Sequence, residues 1–258
     1  MNFDFSDQEK LIRDQTGRFL GDNCKSEEVR RVLEGNDSYA RELWSGLANM
    51  GLMATAIPEA YGGVGGGYLG LCVIAEQLGA HLAPVPMSSS IYLAAEAITL
   101  YGDESQKETW LPKLATGETI GTLAAVETVQ EMTPESINVE SDGKTISGTK
   151  LIVPDGGIAD IAVVLARSTD GLSMFIVDLN EGAVSRTNVD TVDPSKNSAS
   201  ITFNGAPAEL LGEAGNGWSM LQDIYDRAAV LFAFEQIGGA QKVLDMAVDY
   251  AKQRFAFG

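Results

Sequence analysis

His81 is the single histidine of this 258-residue chain, and Cys24 and Cys72 are its only cysteines. These three residues bound the chemistry open to it. A hydrolase triad needs an imidazole beside an activated hydroxyl or thiol. No serine nucleophile motif lies near His81, which sits in the loop-like stretch His81-Leu82-Ala83-Pro84-Val85-Pro86. One histidine and two cysteines 48 positions apart (72 − 24) match no zinc spacing, so no metal site is expected. Gly65-Gly66-Gly67-Tyr68-Leu69-Gly70 has the form G-x-G-x-x-G. A phosphate cradle of that form needs a strand before it and an acid closing a second strand about 20 residues on. Neither is present, so the glycines read as a tight connector between helices. Glu27-Glu28 and Asp103-Glu104 read as solvated faces, Trp44 and Trp110 as packing, and Asp226 as a surface or supporting acid. Residue types and spacing therefore assign no catalytic residue.

The elements that carry these residues fall into three textures. Residues 1–118 read as an all-α domain. Ser6-Asp7-Gln8-Glu9 has capping-box form, helices are expected over 38–50, 71–78, 88–101 and 104–115, and Gly51 is placed to end the first of these. Residues 119–215 carry short β-rich runs between turn signals, which suggests an antiparallel barrel or sandwich. Asp142-Gly143 is a strong hairpin turn, and Asn204-Gly205 reads as another. Residues 216–258 hold one long helix, the expected start of a helical bundle cut off at Gly258. The fold class is thus α+β and multidomain.

Composition excludes several partners. The chain has 18 Lys+Arg against 36 Asp+Glu, a formal charge of −18. Such a surface repels nucleic acid and anionic bilayers. No apolar run approaches the roughly 18 residues a membrane span needs. The start, Met1-Asn2-Phe3-Asp4-Phe5, has no basic region, so neither a secretory nor a transit peptide is expected. A cytoplasmic location with two free thiols follows.

Several ordered stretches carry more. Ile57-Pro58-Glu59-Ala60-Tyr61-Gly62-Gly63-Val64-Gly65 is followed by Ala75-Glu76-Gln77-Leu78-Gly79. Then come Gly102 to Lys107 with Leu111-Pro112-Lys113-Leu114-Ala115-Thr116-Gly117-Glu118, Gly148-Thr149-Lys150, and Ala159-Asp160. Gly217-Trp218, Gly238-Gly239-Ala240-Gln241 and Arg254-Phe255-Ala256-Phe257-Gly258 complete the set. In this order they resemble the acyl-CoA dehydrogenase family along the whole chain. The resemblance implies an N-terminal helical domain, a central β-barrel and a C-terminal four-helix bundle. It implies that a carboxylate takes the α proton of an acyl-CoA while a hydride passes from the β carbon to FAD. The product is a trans-2-enoyl-CoA, and electrons leave to an electron-transfer flavoprotein.

Site residues follow from the resemblance position by position. Arg254 matches an arginine that crosses a dimer interface to the FAD of the neighbouring subunit, and Phe257 an aromatic beside that FAD. Val126 stands where the family has a threonine that holds the flavin, and Met132 where it has a serine. Ile152 replaces a tryptophan that covers the flavin, and Pro154 a hydroxyl residue at flavin N5. Ala229 stands where an arginine often helps bind CoA, and Ala228 where a minority of members carry the catalytic glutamate. No base is assigned in this chain. The expected function is an FAD-dependent acyl-CoA dehydrogenase subunit in a homo- or hetero-tetramer. The alternative is a catalytically incomplete partner subunit of a heteromer, lending interface and FAD contacts only.

Overall fold

The structure, a computed structural model, describes residues 4–255. The chain opens with α1 (Asp7–Asn23), whose start carries the expected capping box. The Ser6 amide donates to Glu9 Oε2 at 2.6 Å, and Ser6 Oγ accepts from the Glu9 amide. α2 (Ser26–Leu33) and α3 (Arg41–Asn49) follow, and Gly51 takes φ +71° just past the end of α3, as a glycine stop does. Gly67 opens α4 (Gly67–Ala80), and among the described residues no strand precedes it, so the glycine run is the expected connector. His81 caps α4, with its Nδ1 3.0 Å from the Gln77 carbonyl.

Residues 88–101 are helical but not uniform. Ser88–Ala95 winds as a π-helix before α5 (Glu96–Tyr101). The π stretch is buried throughout, and its serines bond outward: Ser90 Oγ accepts from the Gly121 amide, and Ser89 Oγ lies 2.6 Å from Asp155 Oδ2. α6 (Glu104–Ala115) starts on a second capping box. The Gln106 amide donates to Asp103 Oδ1 at 2.8 Å, while Gln106 Oε1 accepts from the Asp103 amide at 3.2 Å. Asp103→Ala removes the acceptor of that pair, so a loss of about 1 kcal/mol is expected, read as a lower urea midpoint.

Eight strands form one sheet: β1 (Gly121–Ala124), β2 (Glu140–Ser141), β3 (Thr145–Pro154), β4 (Ile161–Ser168), β5 (Gly171–Asp178), β6 (Val184–Asn188), β7 (Ser198–Pro207) and β8 (Glu209–Leu211). Their order is β6-β7-β3-β2-β4-β5-β8, with β1 beside β4. The sheet is mixed: β4 pairs with β1 and with β2 in parallel, and the remaining pairs are antiparallel. Residues 161–166 of β4 are all buried, the pattern of a strand covered on both faces. Asp142-Gly143 turns the β2–β3 hairpin with Gly143 at φ +90°.

Asn204-Gly205 does not turn the chain. It lies inside β7, where pairing steps from Ile146↔Ala206 to Ser147↔Asn204 and leaves Gly205 (φ +70°) as the extra residue of a bulge. The same φ > 0 preference serves a turn or a bulge, and only the partner strand decides between them. α7 (Gly217–Gln253) runs 37 residues, about 55 Å at 1.5 Å per residue. Its first half packs on α4 and the sheet, whereas residues 239–253 are almost wholly exposed.

Candidate functional site

β1 and β3 meet α7 around an apolar cavity of about 340 Å³. Val126, Ile152 and Pro154, picked out in the sequence from departures from the family pattern in two separate stretches, all line it. Tyr225, Ala228, Ala229 and Phe232 close it from α7, and Leu93 from the π-helix. The α7 residues sit at spacings of three and four, which puts them on one helix face.

The sheet side is shaped by a bulge in β3. Register with β7 breaks between Lys150 and Val153, and the Leu151 amide turns to the Val126 carbonyl at 2.8 Å instead. Ile152, within the bulge, has φ +50° and Asp155 has φ +52°. A β-branched residue in the left-handed region is strained, so the surroundings must over-determine this conformation. Strain of this kind gathers at binding sites. Ile152 lines the cavity and remains 40% exposed.

What holds the bulge is a buried ion pair. Lys150 is fully buried, and its Nζ donates to Glu127 Oε1 at 2.5 Å and to the Ala125 carbonyl at 3.0 Å. The Glu127 carboxylate also accepts from the amides of Asn138 (2.6 Å) and Val139 (3.1 Å). Burial pulls the Lys150 ammonium down to about 8, against the pull of Glu127 in the other direction. The pair thus ties residues 125–127 to β3 on either side of Val126 and Ile152. On the far side of Pro154, the buried Asp155 carboxyl is pushed up by burial and faces Ser89 Oγ. Sequence reasoning missed this network. Lys150 lay in a recognised G-x-K stretch, but nothing in its neighbours shows that the charge is buried.

Other candidates lie elsewhere. Arg254 ends α7, 26 residues beyond Ala228, or about 39 Å along the helix. It is exposed, with its guanidinium on the hydroxyl and ring of its own Tyr250. One chain's Arg254 therefore cannot reach the same chain's cavity. Phe257 lies outside the described residues. Asp226 is exposed and is not a cavity residue. Met132 is half-buried against the core. Two positions before Ala229, Arg227 is committed to the buried Glu96 and stacks over Tyr68 at 4.9 Å. Cys24 and Cys72 are buried free thiols, both pushed up to about 11 by burial. Among the described residues no group of His, Cys, Asp or Glu could hold a metal ion, and no helix is long and apolar enough to cross a membrane.

A flavin ring offers an apolar face and an edge rich in nitrogen and oxygen. The cavity fits the face. Its lining gives the edge one polar side chain, Tyr225.

Known proteins share this architecture. The family described as "Acyl-CoA dehydrogenase, N-terminal domain" matches residues 6–118. An acyl-CoA dehydrogenase of Bacillus subtilis (strain 168) is 28% identical over 88% of this chain and 64% of its own length. A variant of the Tcur3481-Tcur3483 steroid ACAD superposes with TM-score 0.86 and 30% identity, over 97% of this chain and 68% of that one. The ChsE4-ChsE5 complex from Mycobacterium tuberculosis superposes with TM-score 0.88 and 25% identity, over 100% of this chain and 70% of that one. The chain thus spans about two thirds of the length of the proteins it matches.

Proposed function

This chain belongs to the acyl-CoA dehydrogenase family, and on that premise we propose that it is a subunit of an FAD-dependent enzyme that dehydrogenates an acyl-CoA thioester to a trans-2-enoyl-CoA. The observation that carries the reading is the separation within one chain. Val126, Ile152 and Pro154 converge on one cavity, while Arg254 stands at the far, exposed end of the same helix. Two parts of a cofactor site that far apart combine only when chains pair, as a homo- or hetero-tetramer allows. FAD, when bound, supplies the hydride acceptor. The chain's own residues do the rest. The apolar lining excludes water, the Lys150–Glu127 pair fixes the bulge, and Arg254 offers a planar fork of donors that suits a neighbour's pyrophosphate. The three textures, 1–118, 119–215 and 216–258, serve as domains in this reading. An electron-transfer flavoprotein as electron acceptor and a reducing cytoplasm, which suits the two thiols, belong to the same proposal.

The apolar lining favours a second reading beside it, a partner subunit that completes another chain's site. Purification of this chain alone separates them. Flavin absorbance near 450 nm that bleaches with an acyl-CoA supports the self-sufficient subunit. Colourless protein that acquires flavin only with a second, diverged subunit supports the partner. Both readings share one test in the assembled enzyme. Arg254→Ala is expected to lose most of its FAD on gel filtration, and Arg254→Lys to keep an intermediate share, since a point charge replaces a bidentate fork. Full flavin retention by Arg254→Ala would overturn both.

A further inference from the structure

Residues 154 and 155 are held by three bonds that lie outside the sheet ladder. Pro154 has no amide hydrogen to give. Its carbonyl instead accepts from Thr122 Oγ1 of β1 at 2.5 Å. The Asp155 amide donates to the Asn197 carbonyl at 2.7 Å. The Asp155 side chain turns to the π-helix, where its Oδ2 lies 2.6 Å from Ser89 Oγ. Thr122 and Ser89 are fully buried, and Asp155 is 4% exposed. Asp155 takes φ +52°, a conformation that its surroundings must hold. Its neighbour Pro154 lines the cavity, so what fixes Asp155 also fixes that wall.

A count of hydrogens decides the form of the carboxyl. Ser89 Oγ carries one hydrogen. It lies 3.1 Å from the Pro86 carbonyl oxygen as well as 2.6 Å from Asp155. A carbonyl can only accept, so the serine hydrogen goes to Pro86 and the carboxyl must supply the one between itself and Ser89. That requires the protonated acid. An ionised carboxylate would have Ser89 as its one side-chain donor among the described residues, too few for a charge this deeply buried. Burial pushes the Asp155 carboxyl up, against Lys196 of the segment before β7, the one charged group that pulls it down. We propose that Asp155 is a neutral acid that donates to Ser89, that Ser89 donates to the Pro86 carbonyl, and that this chain positions Pro154 as a wall of the cofactor cavity. Ser89 and Asp155 are then positioning residues, acting through Pro154. The cofactor end rests on the function proposed above, whereas the proton assignment rests on the geometry of these three residues.

Infrared difference spectra of the wild type against Asp155→Asn test the proton. At about pH 6, where an ordinary aspartate is ionised, they are expected to show the stretch of a protonated carboxyl. A carboxylate band there overturns the assignment. FAD titration of the assembled enzyme, followed by flavin fluorescence and the shape of the band near 450 nm, tests the positioning. Ser89→Ala and Asp155→Ala should each weaken FAD by about three- to tenfold, the size of one hydrogen bond, and alter the band shape. Asp155→Asn should keep both near the wild type, because its amide donates to Ser89 as the acid does. The ratio of wild-type to Asp155→Asn affinity should fall as pH rises and Asp155 loses its proton. A ratio that falls towards acid instead means that the ionised form does the holding, and it overturns the inference. So does wild-type affinity in both alanine variants. Assemblies of the wild type that hold no flavin would sink the proposed function and the cofactor end with it. Flavin held regardless of Ser89 and Asp155 sinks this inference alone.

Discussion

Glu127→Gln is expected to destabilise the chain by about 3–5 kcal/mol at pH 7, the cost of removing one member of a buried ion pair. The substitution keeps the shape of residue 127 and an oxygen for the Val139 amide. It removes the only counter-charge that the described residues offer a lysine with no exposed surface. Lys150 is then left with the Ala125 carbonyl. It must remain charged without compensation or give up its proton, and its ammonium already titrates near 8. Adding Lys150→Met to Glu127→Gln should recover part of the loss, because an unbranched apolar chain fits the same slot and removes the buried charge. Urea unfolding of the two single variants and the double variant measures this. Additive losses would mean that the two residues do not act as a pair.

The wild type carries a matching pH signature. The unfolded chain holds the Lys150 proton to about pH 10.4, whereas the folded chain releases it near 8. Between these values the unfolded state binds more protons, so this group makes stability rise with pH. The window is clearest between pH 8 and 9. Above it the Cys24 and Cys72 thiols, raised to about 11 in the fold, keep protons that the unfolded chain sheds, and they pull stability down. Lys150→Met should flatten the rise from pH 8 to 9. A rise that persists in that variant belongs to another group.

The same pair marks the limit of what the sequence shows. Positions 126, 152 and 154 were legible because each departs from a family pattern, and they do meet in one cavity. Helix starts at Ser6 and Asp103 and the hairpin at Asp142-Gly143 were legible because capping and turn chemistry act within four residues. Features that depend on a distant partner were not. The bulge at Gly205 needs β3 opposite it, the π-helical winding of 88–95 needs the β1 edge and Asp155, and Lys150 needs Glu127. Tyr225 reads as one more large residue along α7 until β1 and β3 supply the opposite wall.

Gly238 and Gly239 are expected to respond to alanine with opposite signs. A Cβ on Gly238 would lie 1.8 Å from the Glu76 carbonyl oxygen and 3.1 Å from the Ala80 nitrogen, both backbone atoms of α4. The contact is reciprocal, since a Cβ on Gly79 would lie 1.9 Å from the Glu235 carbonyl oxygen of α7. The two helices touch backbone to backbone here, and no side chain can move aside to make room. Gly238→Ala must push α7 off α4, at a cost of about 3 kcal/mol or more. That exceeds the gain of about 1 kcal/mol in helix propensity. At Gly239 the added carbon would meet only the Gly79 carbonyl oxygen, at an ordinary 3.6 Å. Gly239→Ala should keep the propensity gain and raise the urea midpoint. Equal effects at the two positions would mean that the crossing is not held at backbone distance. The consequence reaches the site, because α7 carries Tyr225, Ala228 and Phe232 into the cavity and Arg254 away from it. A helix displaced at Gly238 misplaces both ends, so Gly238→Ala assemblies that still fold should also bind less flavin than Gly239→Ala ones.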